Sequence, residues 1–130
     1  MLGKKDELHR TELHCACVDA NVQQIRALLE AGADPSASDA NGWTPLHFAA
    51  QANCAEGARI LIDAGAAIDP EDRDGNTPLS KAVFSSRGDG AVITMLLAAG
   101  ADPAHENRYG VSPRSLAQTI ANYDVARYFD

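Results

Sequence analysis

Asn41-Gly42-Trp43-Thr44-Pro45-Leu46-His47 does not stand alone in this chain. It returns as Asp74-Gly75-Asn76-Thr77-Pro78-Leu79-Ser80, 33 residues on, and as Tyr109-Gly110-Val111-Ser112-Pro113, a further 35 residues on. A second pattern keeps the same beat. Leu28-Leu29-Glu30-Ala31-Gly32-Ala33-Asp34-Pro35 is followed by Leu61-Ile62-Asp63-Ala64-Gly65-Ala66-Ala67 and by Leu96-Leu97-Ala98-Ala99-Gly100-Ala101-Asp102-Pro103. Two independent motifs that share both spacings mark an array of repeats.

Each unit reads as helix, turn, helix and extended loop. Thr44 suits an N-cap and Pro45 the first helical position, where no N–H is needed. Leu46 to Ala50 then forms a short helix whose alanines admit a close neighbour. Asn53 with Glu56 three residues later has the form of a capping box for a second helix, and Gly65 is placed to end it. Gly57 inside that helix costs roughly 1 kcal/mol relative to Ala, and nothing in the sequence accounts for it.

Thr44-Pro45-Leu46-His47-Phe48-Ala49, with the 33-residue period, resembles the signature of the ankyrin repeat. The resemblance implies an all-α solenoid of about four helix-turn-helix units with β-hairpin or loop fingers. It divides a single domain, 1–130, into units 6–38, 39–71, 72–106 and a shortened 107–130. Departures from the pattern predict local differences. Unit one carries Glu12 in place of Pro and His9 in place of the finger glycine, so a helix from about Asp6 through Val18 is expected. The extra residues in Ser85-Ser86-Arg87-Gly88-Asp89-Gly90 predict a bulged link. Arg114 stands where Leu46 and Leu79 stand, as a polar terminal face requires, and is expected to be exposed.

Composition narrows the function classes. Lys and Arg number 11 against 18 Asp and Glu, a net charge of −7. That disfavours nucleic acid, whose phosphates reward cations, and an anionic membrane surface. No run approaches 18 apolar residues, and the charged start builds no signal-peptide core. Cys15, Cys17 and Cys54 are too few and badly spaced for a disulfide framework or a zinc site, so reduced thiols and a cytoplasmic setting are expected. His14 and His47 occupy the signature histidine position, a structural role, and no Ser or Cys nucleophile sits at a motif beside either. Asp72-Arg73-Asp74-Gly75 lacks the flanking acids of a calcium loop. We therefore expect no enzyme, no cofactor and no metal.

In the resembled family, the concave side formed by fingers and first helices is the usual binding surface. Its variable positions here supply the candidate contacts Asn41, Trp43, Phe48, Gln51, Arg73, Asp74, Asn76, Lys81, Phe84, Arg108 and Tyr109. Four of the chain's seven aromatics fall in this set, and aromatic anchors are common interface hot spots. Asp39, Glu71, Asp72 and Glu106 are expected to form a charged rim that steers a basic protein partner. The resemblance then implies a monomer that binds stoichiometrically. Its most specific form is an immunity or inhibitor protein occluding a basic toxin or enzyme; the alternative is a scaffold or adaptor that bridges two partners.

The thiols offer a direct test. Cys17 takes the place of a packing alanine, whereas Cys15 sits at a variable position. Timed alkylation of the folded protein should modify Cys15 well before Cys17, and equal rates would contradict the assignment.

Overall fold

The computed structural model describes residues 8–120 and 124–129. Seven α-helices follow one another: α1 Glu12–Val18, α2 Val22–Glu30, α3 Pro45–Gln51, α4 Ala55–Asp63, α5 Pro78–Ser85, α6 Ala91–Ala98 and α7 Pro113–Thr119, with a 3₁₀ turn at Ala126–Phe129. The first helices of successive units, α1, α3, α5 and α7, stack into one layer, and α2, α4 and α6 stack into a second. No strand occurs among the described residues. The fingers are tight loops, so the loop form of the expectation holds and the β-hairpin form does not. Three helix pairs are complete. The fourth unit has α7 and the 3₁₀ turn, and no second α-helix among its described residues.

Local chemistry sets the helix ends. Thr11, Thr44 and Ser112 each cap their helix through a reciprocal box, with His14, His47 and Ser115 at the third position. Thr11 therefore starts α1 at Glu12, and the helix expected from Asp6 is shorter than predicted. Residues 6 and 7 lie outside the described residues. His9 adopts φ 58, and the carbonyl of Leu8 accepts from Ala40 N–H at 2.6 Å, so this segment runs as a finger. The capping box expected from Asn53 and Glu56 does not form. Cys54 is the N-cap of α4 and supplies no side-chain hydrogen bond. Asn53 sits one residue earlier at φ 52, and its amide donates instead to Asp89 Oδ2 at 3.1 Å.

The second helices close identically. In the first, Gly32 N–H bonds the Leu29 carbonyl and Ala33 N–H bonds the Leu28 carbonyl. The same pair of bonds recurs at Gly65 with Ala66 and at Gly100 with Ala101. This is the left-handed glycine stop with its two reversed bonds, and it explains the second repeated motif. Gly57 also acquires a reason: a Cβ there would lie 2.9 Å from Cys54 Sγ and 3.1 Å from Ile25 Cδ1. The helix accepts the glycine because α2 and α4 approach closely. The bulged link of unit three is present, with Arg87 and Gly88 both at positive φ. The Tyr128 ring packs where a Gly90 side chain would stand, and its hydroxyl donates to the Gly88 carbonyl at 2.9 Å.

Leu13, Ile25, Leu46, Leu61, Leu79, Ile93 and Leu96 are buried between the layers, and Ala49 and Ala50 are fully covered. Arg114 is exposed as expected. Cys15 is exposed and Cys17 buried. Burial, with a smaller contribution from Cys54, pushes the Cys17 thiol up to about 12.

The units are tied by the signature histidines. Thr44 N–H donates to His47 Nδ1 at 3.0 Å, which fixes Nδ1 as the acceptor. Nε2 therefore carries the proton and donates to the Asn76 carbonyl at 2.9 Å. His14 repeats the arrangement, from Thr11 N–H at 2.9 Å to the Trp43 carbonyl at 2.9 Å. Burial is the largest influence on His47 and outweighs its carbonyl bond and nearby Asp72, lowering it from 6.5 to about 4. Below pH 6.5 the unfolded chain takes up a proton that the native state refuses until about pH 4. Stability should therefore fall across that window, by at most ~3 kcal/mol from this residue. Urea unfolding of wild type and His47→Gln should show a stability difference that narrows as pH drops from 7 to 4. A constant difference would contradict the buried neutral imidazole.

Candidate partner-binding surface

The fingers and the first-helix layer form one face. Each finger turns on a side-chain oxygen three residues before its glycine. Asp39 Oδ1 accepts from Asn41 and Trp43 N–H, Asp72 Oδ1 from Asp74 and Asn76 N–H, and Asn107 Oδ1 from Tyr109 and Val111 N–H, all at 2.8–3.0 Å. Successive fingers are then laced by backbone bonds, Arg73 N–H to the Asn41 carbonyl and Arg108 N–H to the Asp74 carbonyl, both at 2.9 Å. At Gly42 (φ 80) a Cβ would meet Asp72 Cα at 3.0 Å, so both conformation and contact demand glycine.

This framework corrects part of the expected site. Asp39 and Asp72 do not stand on a charged rim. Each is 6% exposed, because the carboxylate is the turning point of its own finger. The second oxygen of Asp72 takes Lys81 Nζ at 2.9 Å. Burial works to raise the Asp72 carboxyl, but Lys81 and the Asn76 and Asp74 N–H groups outweigh it and hold it below 3.8. Asp39 Oδ2 lies 3.7 Å from Arg10 Nε. Phe48 is also internal, at 5% exposure. Its ring centroid is 4.7 Å from Trp43 and 5.8 Å, edge-on, from His14, with the Arg10 guanidinium 5.0 Å away. It supports the surface from beneath.

The other residues do come together. Trp43 is half-buried, with Lys81 Nζ 4.0 Å from its centroid. Arg73 Nη1 donates to Asn41 Oδ1 at 3.0 Å, Asn107 Nδ2 to Asn76 Oδ1 at 2.9 Å, and Arg108 lies 3.5 Å from Asp74. Phe84 and Tyr109 are 76% and 71% exposed, and the Arg108 guanidinium lies 5.6 Å from the Tyr109 ring. Glu71 meets His105 at 2.6 Å and is exposed, as is Glu106; neither lines the hollows described next.

Three hollows share Gln51. One of about 290 Å³ is lined by Trp43, Gln51, Asn76, Ser80, Lys81, Phe84, Ser85 and Leu116. A second, about 600 Å³, continues past Phe84 to Arg87 and Asp89. A third, about 270 Å³, runs from Trp43 toward Arg10 and Asn41. Ser80 and Leu116 are lining residues that the motif reading passed over. Ser80 was legible as the one signature position in units one to three without histidine. Leu116 falls at the repeat position of Phe48 and Lys81. Among the described residues there is no group of three or more His, Cys, Asp or Glu able to hold a metal, and no helix long and apolar enough to cross a membrane. The arrangement offers a trough with an exposed aromatic, suited to contact with another surface.

Comparison with known proteins agrees with the fold. The chain is 50% identical over 44 residues to an ankyrin repeat protein of Pyrobaculum aerophilum, a match covering 34% of this chain and 16% of that one. It is 42% identical over 53 residues to NF-kappa-B inhibitor alpha of Sus scrofa, covering 41% and 17%. It is 52% identical over 46 residues to a potassium channel of Oryza sativa subsp. japonica, covering 35% and 5%. The chain thus spans less than a fifth of the length of each of these relatives. The family model for ankyrin repeats matches three copies across residues 13–107, and the chain belongs to the ankyrin-repeat family.

Proposed function

We propose that this chain acts by stoichiometric binding of another protein on the trough face, covering a working surface of that partner, and not by catalysis. One observation carries the reading: Phe84, a large ring on a first helix, is 76% exposed where two of the hollows meet. A large exposed ring beside a concave surface is the type of side chain that anchors a protein interface. Two further points support inhibition over bridging. The trough is one continuous surface, which suits a single occupant, and a relative bears the name of an inhibitor. The most specific form is an immunity or inhibitor protein that occludes a toxin or enzyme. The net charge of −7 favours a basic partner through its long-range field. Glu30, Glu56 and Asp63, exposed on α2 and α4, carry part of that charge away from the trough.

A photo-crosslinker at Gln51, which touches all three hollows, should capture the partner, whereas one at Arg59 on α4 should not. Phe84→Ser should raise the dissociation rate at least tenfold, about 1.4 kcal/mol or more, without shifting the unfolding midpoint. The captured partner should lose its activity in the complex and, for the immunity form, be toxic alone and harmless when co-expressed. A partner that remains active would make this chain an adaptor. Capture from Arg59 alone would place binding on the other layer.

A further inference from the structure

The charge of the contact surface differs from the charge of the chain. The acids near the trough are already engaged. Asp72 holds two finger N–H groups and Lys81. Asp39 holds two finger N–H groups and lies beside Arg10. Asp89 accepts from Asn53 on one oxygen and from Ala91 N–H on the other, and Asp74 faces Arg108. The cations are less compensated. Arg73 is exposed, and its hydrogen bond goes to the neutral amide of Asn41. Arg87 is exposed on the wall of the second hollow and has no carboxylate within ion-pair distance among the described residues. The trough therefore presents an apolar centre at Phe84 with two guanidinium groups that form no ion pair among the described residues, Arg73 on the finger side and, on the helix-turn side, Arg87, whose hollow also holds Asp89 with both carboxylate oxygens taken by neutral donors.

From this juxtaposition we infer that the trough receives a linear segment of the partner that carries one aromatic or large aliphatic anchor flanked by Asp or Glu. The anchor packs on Phe84 over the hollow floored by Ser80 and Leu116, and the flanking carboxylates pair with Arg73 and Arg87. A carboxylate suits a guanidinium because both are planar and bond in pairs. Arg73, Phe84 and Arg87 all belong to unit three, so the segment runs along α5, from the finger before it to the turn after it. The eight residues of α5 rise about 12 Å, which about four extended residues span. The field of the whole chain acts on how a partner approaches; these side chains act on which of its segments is held.

The inference rests on the trough being the binding face, and the test separates the two. A displayed library of random 12-residue peptides is selected against the intact protein. Selection should enrich peptides with a central apolar anchor flanked by acids. Their binding should weaken at least tenfold with Phe84→Ser, and Arg73→Glu should shift the enriched flanks from acidic to basic. Both positions are exposed, and unchanged thermal unfolding of each variant excludes misfolding as the cause. Enrichment of basic flanks that still depend on Phe84 would overturn the acidic segment while leaving the binding face intact. Enrichment indifferent to Phe84, or none above background, would overturn the inference, and capture from Gln51 would then decide separately whether the face itself stands.

Discussion

The hydrogen bond from a signature imidazole to the carbonyl of the next finger is the constraint on which the array depends. His14 reaches the Trp43 carbonyl and His47 the Asn76 carbonyl, both at 2.9 Å. Each imidazole is oriented by its own cap, because Nδ1 accepts the backbone N–H at the helix start. One ring thus fixes where a helix begins and where the following finger lies. A repeat protein has few contacts between residues distant in sequence, so bonds that join neighbouring units bear directly on cooperativity. At His47 the acid-sensitive part is the cap: a proton on Nδ1 removes the acceptor of the Thr44 N–H and charges a buried ring, while the Nε2–H bond to the Asn76 carbonyl can persist.

With the fingers set by backbone bonds and by Asp39, Asp72 and Asn107, the side chains between those points are released from structural duty. Asn41, Arg73, Asp74 and Arg108 project from turns whose geometry does not depend on them, although they link to one another. That separation lets one scaffold present many surfaces. It also means that membership in the ankyrin family specifies the shape of a binding face and leaves its occupant to the variable residues.

The repeat, the helix starts and the glycine stops were legible because each follows from local chemistry: a hydroxyl cap, a proline at the first position, a glycine at positive φ. The candidate surface was legible in outline, as a grouping of residues. Trp43, Gln51, Asn76, Lys81 and Phe84 line one hollow. What was not legible was the duty of particular carboxylates. Asp39 and Asp72 read as surface charges in a polar loop. Their recurrence three residues before each finger glycine, with Asn107 as the neutral third member, was the available sign that they accept hydrogen bonds within the turn. Gly57 and Gly90 were opaque for another reason. Each meets a side chain distant in sequence, Ile25 of α2 beside the local Cys54 at Gly57, and Tyr128 from near the chain's far end at Gly90.

Unit three shows how the proposed binding surface and stability trade against each other. Its signature position holds Ser80, so no imidazole reaches Val111, and the buried Thr77 hydroxyl is left with no hydrogen-bond partner among the described residues. An unpartnered buried hydroxyl costs on the order of 1–3 kcal/mol. At the position of internal Phe48, this unit carries Lys81, which leans on Trp43 and closes onto Asp72. Both departures border the same hollow, beside exposed Phe84. A serine there leaves open the volume that a histidine ring would fill, and the lysine replaces a packed ring with a polar wall. Local rules are expected to fail where a site demands it. In this array these failures cluster in one unit, beneath the exposed ring of Phe84, which the helix layer does not need for its own packing.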